Sequence, residues 1–286
     1  MAEKAAEDKT FSVSGVLKQL KLSKSGYYDW MKRKPSQQSQ RKERVQQRIE
    51  EIYDENHQIY GSPKITHLLQ EEGEKISERT VSVYMREMGI KAVYIKPYCQ
   101  TTKDCDYSQK LQNVLKREFS PTRANEAWCT DITYIRTEED GFVYLTSIMD
   151  LFSRRIIAWT LSRTMKVEDV LECLKQAKML RKVDKPLVIQ SDRGSQFVSS
   201  MYVQLTEGMT RSYSDKGTPW DNACIESFHA LIKREWLDRR KLRNYADAYH
   251  SVFEYIETFY NTVRIHSHND YRSPKQREEL LQESVI

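Results

Sequence analysis

Ala127-Trp-Cys-Thr-Asp131-Ile-Thr-Tyr-Ile-Arg136 is a run of β-branched and aromatic residues with one carboxylate at its centre. Such side chains suit the pleated surface of a sheet, so the run predicts a strand. Gly141 ends a turn, Phe142 to Met149 predicts a second strand, and Arg154 to Leu161 a third, antiparallel through short connections. Val167 to Leu180 is a helix with Val170, Leu171, Leu174 and Ala177 on its inner face. Leu187 to Gln190 is a short buried strand, followed by a helix near Val198 to Thr206 and a strand around Arg211 to Ser214. After the loop Lys216-Gly-Thr-Pro219, Asp221 opens a helix reaching about Leu237, and Tyr245 to Tyr260 forms another. Strands first, then strands alternating with helices, describe a mixed α/β sheet with helices packed on it.

Three acids stand out against that pattern. Asp131 interrupts the first strand, Asp192 closes the apolar run Pro186-Leu-Val-Ile-Gln, and Glu226 lies in the helix opened by Asp221, between Ile225 and Phe228. A carboxylate in or at the end of a buried strand is costly unless something compensates it. Divalent cations would do so: Mg²⁺ takes oxygen ligands and keeps positions for water and phosphate. Three converging carboxylates suit two such ions and in-line phosphoryl transfer. Each acid also has a plainer role available. Asp131 could bond Thr130 or Thr133, Asp192 could cap a helix, and Glu226 could face solvent. Asp221 reads as a helix cap and Asp150 as a turn former.

The N-terminal third is helical. Val13 to Leu20 and Lys24 to Lys32 are two short helices with Ser23 as N-cap, and Pro35-Ser-Gln-Gln-Ser-Gln reads as a polar linker. A longer helix carries Val45, Ile49, Ile52 and Tyr53 at helical spacing until Gly61-Ser-Pro63 breaks it. Ile65 to Gln70, a turn at Glu72-Gly-Glu74, and Ser77 to Met88 before Gly89 outline a helix-turn-helix. Arg79, Ser82 and Arg86 share a face of its second helix, the arrangement that reads a DNA groove. A purely structural three-helix unit would look similar.

The net charge of +5 is too small by itself to announce nucleic-acid binding, but its distribution is informative. Ten Lys or Arg lie between Lys18 and Arg48 against two acids, a cluster able to track phosphates or simply to form a solvated face. The five cysteines show no paired spacing and the histidines are scattered, which excludes the usual zinc modules and fits free thiols. No apolar run is long enough to cross a bilayer, and the N-terminus lacks a secretory h-region, so a cytoplasmic protein is expected.

Five motifs occur in register: Trp128-x-Thr-Asp131-Ile-Thr-Tyr, Asp150-Leu-Phe-Ser-Arg-Arg, Ser191-Asp192-Arg-Gly-Ser-Gln-Phe, Asp221-Asn-Ala-Cys-Ile-Glu226-Ser-Phe, and Tyr260-Asn-x-x-Arg264-x-His266 followed by Ser273-Pro274. Over about residues 45 to 280 the chain resembles the catalytic subunit of bacterial insertion-sequence transposases with a retroviral-integrase-type core, the second open-reading-frame product of two-frame elements. The strand and helix order matches the RNase H-like layout, a match of fold that does not settle function. The resemblance implies an Asp-Asp-Glu triad on Asp131, Asp192 and Glu226, and the 33 residues between the last two are slightly fewer than is common in the family.

It further implies a DNA transposase using Mg²⁺, with Mn²⁺ as a substitute and two ions per site. Its partners would be transposon ends, target DNA, a first-frame protein or fusion to it, and further copies of the chain, in a bacterial cytoplasm at the nucleoid. The expected organisation is a small basic helical unit (1–40), a helix-turn-helix region (41–95), a linker (96–122), the integrase-type core (123–240) and a helical extension (241–286). Lys233, His229, Lys216, Arg193, Arg79, Arg86, Lys32 and Arg33 are the expected DNA contacts. His229 and Lys233 follow Glu226 on one helix face, while Arg264 and His266 allow a structural pairing or a DNA contact. Trp220 and Trp236 read as core residues. A structure-specific nuclease on the same fold and a non-catalytic DNA-binding regulator stay open as alternatives.

Overall fold

A computed structural model describes residues 12–93, 111–182, 187–215 and 218–283. The first expected strand forms as β1 (Ala127–Arg136), and it pairs antiparallel with β2 (Phe142–Asp150), which pairs antiparallel with β3 (Ile156–Ser162). β4 (Val188–Ser191) and β5 (Thr210–Tyr213) join on the other side, both parallel to β1, giving the order β3-β2-β1-β4-β5. Alternation along β1 sends Cys129 and Ile135 to one face of the sheet and Trp128 to the other, and each face is the floor of a separate core.

On the Trp128 side lie α6 (Val167–Arg181), with Val170, Cys173, Leu174 and Ala177 buried, and the short α7 (Ser200–Leu205). The opposite face is covered by α8 (Ala223–Glu235), which follows a 3₁₀ turn over Pro219–Asn222. α9 (Tyr245–Phe253) covers it too, running into a π-helical stretch, Glu254–Tyr260. α10 (Pro274–Glu283) ends the described chain.

Preceding the sheet are α1 (Val13–Gln19), α2 (Lys24–Lys32), α3 (Gln37–Glu55), α4 (Ser62–Glu71) and α5 (Glu78–Glu87). Ser23 caps α2 as expected, and Ser77 caps α5 by accepting from the Thr80 amide. Gly89, at φ +73°, ends α5 in a conformation that a side chain would strain. The stretch read as a polar linker is shorter than expected. Ser36 accepts from the Ser39 amide, and the glutamines after it already belong to α3.

α3 to α5 share one core with the α8 side of the sheet. Ile49, Ile65 and Val81 join Phe228, Trp236 and Phe259. The His57 ring stands edge-on to Trp236 and Phe259, and the Ile265 amide donates to the Tyr60 hydroxyl. Residues 111–122 run against β5, where the Val114 and Leu115 amides donate to Ser212 Oγ and the Tyr213 amide to Gln112. Trp236 is buried, whereas Trp220 is 53% exposed, because it sits on the 3₁₀ turn ahead of α8 rather than on a packed helix face.

Asp150 is the turn former expected between β2 and β3. Its two carboxylate oxygens accept from the Asn125 and Phe152 amides at 2.8 and 2.9 Å, and burial pushes its pKa up to about 6 despite those donors. Asp150→Ala leaves the buried Phe152 amide and the partly buried Asn125 amide without a partner, which should cost about 2–4 kcal/mol. A thermal melt of the variant checks this, and an unchanged midpoint would refute the assigned role.

Candidate active site

The sheet register positions the first two acids. β4 pairs with β1 from Ala127↔Val188 to Cys129↔Gln190, and Asp131 and Asp192 each lie two residues beyond the last of these pairs. β4 has ended by then, so Asp192 leaves the sheet at its carboxyl end and is exposed, while Asp131 lies inside β1 with a side chain 20% exposed. The turn after β4 is tightened around Asp192. The Gly194 amide donates to Asp192 Oδ1 at 2.9 Å, and a Cβ on Gly194 would come within 3.0 Å of the same oxygen. A side chain at 194 would require the Asp192 and Gln196 side chains to move aside by a few tenths of an ångström.

Glu226 enters from above, in the first turn of α8. Burial pushes its pKa up to about 7, and the Asp131 and Asp192 carboxylates push the same way. The charges of Asp131 and Asp192 thus both bear on Glu226. They do not form a finished ligand cage. Among the described residues, no three His, Cys, Asp or Glu side chains are gathered closely enough to hold an ion as they stand.

The Asp131 carboxylate is held from behind. His229, one turn beyond Glu226 on α8, lies 3.5 Å from Asp131 Oδ2 through Nδ1 and 3.4 Å from Ser147 Oγ through Nε2. Ser147 is the cross-strand neighbour of Asp131 on β2, so the imidazole links both strands to α8. His229 was expected to pack or to contact a DNA phosphate, and it packs, buried against the sheet. Arg193 is also turned inward, donating to the carbonyls of Ser214 and Leu111. Lys216 lies outside the described residues.

Lys233 continues the α8 face toward solvent, and its ammonium stands 4.3 Å from the centre of the Tyr134 ring. Burial lowers its pKa, partly offset by Asp238 and Asp131. Arg79 and Arg86 are exposed on α5, opposite the buried Val81 and Met85, and Lys32 and Arg33 are exposed at the end of α2. Asp221 does not cap α8 with its side chain. Its buried carboxylate gathers the Asn113 amide group, the Asp215 amide, the Thr218 hydroxyl and Arg117, which ties the segment before β1 to the turn leading into α8. Ser147 and Tyr134 were missed by sequence reading. The signal available for Ser147 was its register opposite Asp131, which the length of the β1–β2 turn encodes.

Family profiles described as an integrase core domain match residues 121–219 and 207–274, and one described as an HTH-like domain matches residues 40–98. The transposase for insertion sequence element IS904 of Lactococcus lactis subsp. lactis (strain IL1403) is 35% identical over 250 residues, covering 87% of this chain and 98% of the relative. Transposase InsF for insertion sequence IS3A of Escherichia coli (strain K12) is 31% identical over 272 residues, covering 94% of each chain. Among solved structures, the HTLV-2 integrase catalytic core domain in complex with magnesium aligns with a TM-score of 0.41 at 18% identity, over 55% of this chain and 98% of that one.

Proposed function

This chain belongs to the insertion-sequence transposases with an integrase core domain, and from that premise we propose that Asp131, Asp192 and Glu226 are the carboxylates that catalyse DNA cleavage and strand transfer. What supports the assignment is that the three acids come from β1, the end of β4 and the first turn of α8, and that the Asp131 and Asp192 charges both act on Glu226.

The donor set fits a hard divalent cation. All three side chains offer oxygen, and drawing three anions into one shell is unfavourable without positive charge between them. Magnesium bound there, as one or two ions, would neutralise phosphate oxygens and favour the ionised form of the attacking hydroxyl. The chain's own residues do the rest. Asp131 is fixed by β1 and by His229, Asp192 is oriented by the Gly194 amide, and Glu226 is carried on a rigid helix. Water first attacks the phosphodiester at the element's end, breaking the P–O3′ bond and releasing a 3′-hydroxyl. That hydroxyl attacks a second phosphodiester, forming a new P–O bond as another breaks. Neither step needs a protein nucleophile, so positioning and charge neutralisation carry the rate.

Lys233 projects beside the carboxylates, where a bound phosphodiester would meet it. Arg79 and Arg86 on α5, with Lys32 and Arg33 at the end of α2, supply the outer contacts to DNA. The sequence has no sustained heptad of its own, which supports action with the first-frame product of the same element, or as a fusion to it, in a multimer that pairs two ends.

The deciding assay uses labelled DNA carrying the element's end, with the chain alone and with its first-frame partner, in Mg²⁺. Nicked ends together with longer joined products are expected. Nicking without joining under both conditions would replace the transposase reading with a nuclease. Metal binding has its own readout. Saturation with Mg²⁺ or Mn²⁺ at about 100 times Kd should stabilise the fold by about 2.7 kcal/mol, seen as a raised Tm. Asp131→Asn should lose most of that rise, and an equal rise in both proteins would place the ion elsewhere.

A further inference from the structure

α1 and α2 bury little. Among the described residues of the two helices, Leu17 alone is covered. Tyr27, Trp30 and Met31 share one face of α2, and Trp30 and Met31 are 51% and 55% exposed. Lys24 falls beside Met31 on that face, whereas Lys32 points away, about 160° round the helix from Trp30. Leu20 and Leu22, in the turn before α2, are exposed as well. The cations here also differ from those of α3. Arg41, Lys42, Arg44 and Arg48 are each tied to a glutamate, whereas Lys21, Lys24, Lys32, Arg33 and Lys34 have no ion pair among the described residues. An exposed surface that is both apolar and basic marks an interaction face, and phosphate alone does not account for its apolar part.

A groove of about 640 Å³ has the complementary character. It is walled by α3, α4 and the chain from Thr262 into α10. Ile52, Leu68, Val263, Ile265 and Tyr271 give it an apolar lining, in which Val263 is 49% exposed. Glu55, Glu71, Glu72 and Glu279 line it against Arg48 and Arg272, and Arg48 is already shared among Glu51, Glu55 and Glu72. The groove lies beyond the reach of the chain's own α2. Ile52 and Asn56, which line it, are about 22 and 28 Å along α3 from Gln37. The four residues Arg33 to Ser36, which join the helices, span at most about 14 Å fully extended, and this stops Trp30 and Met31 short.

We propose that the groove is the docking site for α2 of a second copy of the chain, with Trp30 and Met31 set into its apolar lining and Lys24 against its carboxylates. Each copy carries one helix and one groove, so two copies satisfy each other by exchange. Docking by the Trp30 face turns Lys32 outward and leaves it for DNA. This contact goes beyond the reading of the carboxylates and does not depend on it.

The test is self-association of the full chain, without DNA or divalent metal, followed by sedimentation velocity. Wild type should dimerise. Trp30→Ala combined with Met31→Ala should weaken the dimer by about thirtyfold or more, because large anchors in a covered pocket dominate an interface. Both side chains are exposed in the single chain, so its fold does not rest on them. Charge reversal reads the same contact independently. Lys24→Glu should associate poorly with itself, and so should Glu71→Lys combined with Glu279→Lys. A mixture of these two chains should associate more tightly than either alone, since each helix then meets a groove of opposite charge. Wild type that stays monomeric would overturn the proposal, as would a mixture no tighter than its parts. Self-association unchanged in the Trp30 and Met31 variant, with weakened DNA binding, would assign the face to DNA instead. Failure of the catalytic reading would appear separately, as wild type that neither nicks nor joins.

Discussion

Asp192→Asn is expected to abolish both nicking and joining of a DNA end, by about a thousandfold or more, while DNA affinity in the absence of metal stays within about twofold of wild type. Asparagine keeps the size of the side chain and one oxygen, so the Gly194 amide still finds its acceptor. What disappears is a full negative charge at the end of β4, and a ligand worth several kcal/mol of transition-state charge stabilisation corresponds to that factor. Asp131→Asn and Glu226→Gln should match it. Their double mutants should be no worse than the singles, because residues that act as one unit are not additive. Strand transfer retained by any one of the three would remove that residue from the site. Unchanged DNA binding separates this outcome from misfolding, since Asp192 is exposed and Glu226 is only partly buried.

Much of this was legible in the sequence, because local patterns report on local structure. Asp131 within an apolar strand run and Asp192 after another were visible as anomalies, and the sheet register explains why those two anomalies meet. The boundaries of α2, set by Ser23, and of α6, set by its apolar spacing, came from the same short-range signals. What stayed hidden is what depends on a partner distant in sequence. His229 shares a helix face with Glu226, but whether that face meets solvent or Ser147 depends on where α8 crosses the sheet. Arg193 reads as a free cation beside a catalytic acid until the chain returns with Ser214 and Leu111 to accept its hydrogen bonds. Asp221 looks like a helix cap until Asn113 and Arg117 arrive from over a hundred residues upstream.

Arg264→Ala is expected to give the largest loss of stability in the chain, about 3–5 kcal/mol, through an acid at the far end of the catalytic helix. Arg264 donates to both oxygens of Glu235 at 2.8 and 2.6 Å, and Tyr255 adds a third donor at 2.7 Å. The two side chains are 7% and 5% exposed. Burial pushes the Glu235 pKa up, but the hydrogen bonds and charge of Arg264 more than offset it and hold the carboxyl below its usual range. Removing the arginine leaves a buried anion without its counter-charge, the case in which breaking a buried pair is most costly. The sign of the pH dependence follows. In wild type the depressed pKa contributes stability above the unfolded value of about 4.3, lost as pH falls through the folded one. In Arg264→Ala burial is opposed only by the Tyr255 hydroxyl and the Lys64 charge, so the pKa rises and the deficit against wild type should shrink on acidification from pH 8 to pH 5, as the stranded carboxyl takes up a proton. Arg264→Ala combined with Glu235→Gln should recover part of the loss, because no charge is then left behind. Because Glu235 ends the helix that carries Glu226, the single variant should also lose strand transfer at temperatures where it is still folded. Denaturant melts of the three proteins at pH 5 and pH 8 decide the matter, and a deficit independent of pH would mean that Arg264 stabilises the fold by packing on Tyr260 rather than by its charge.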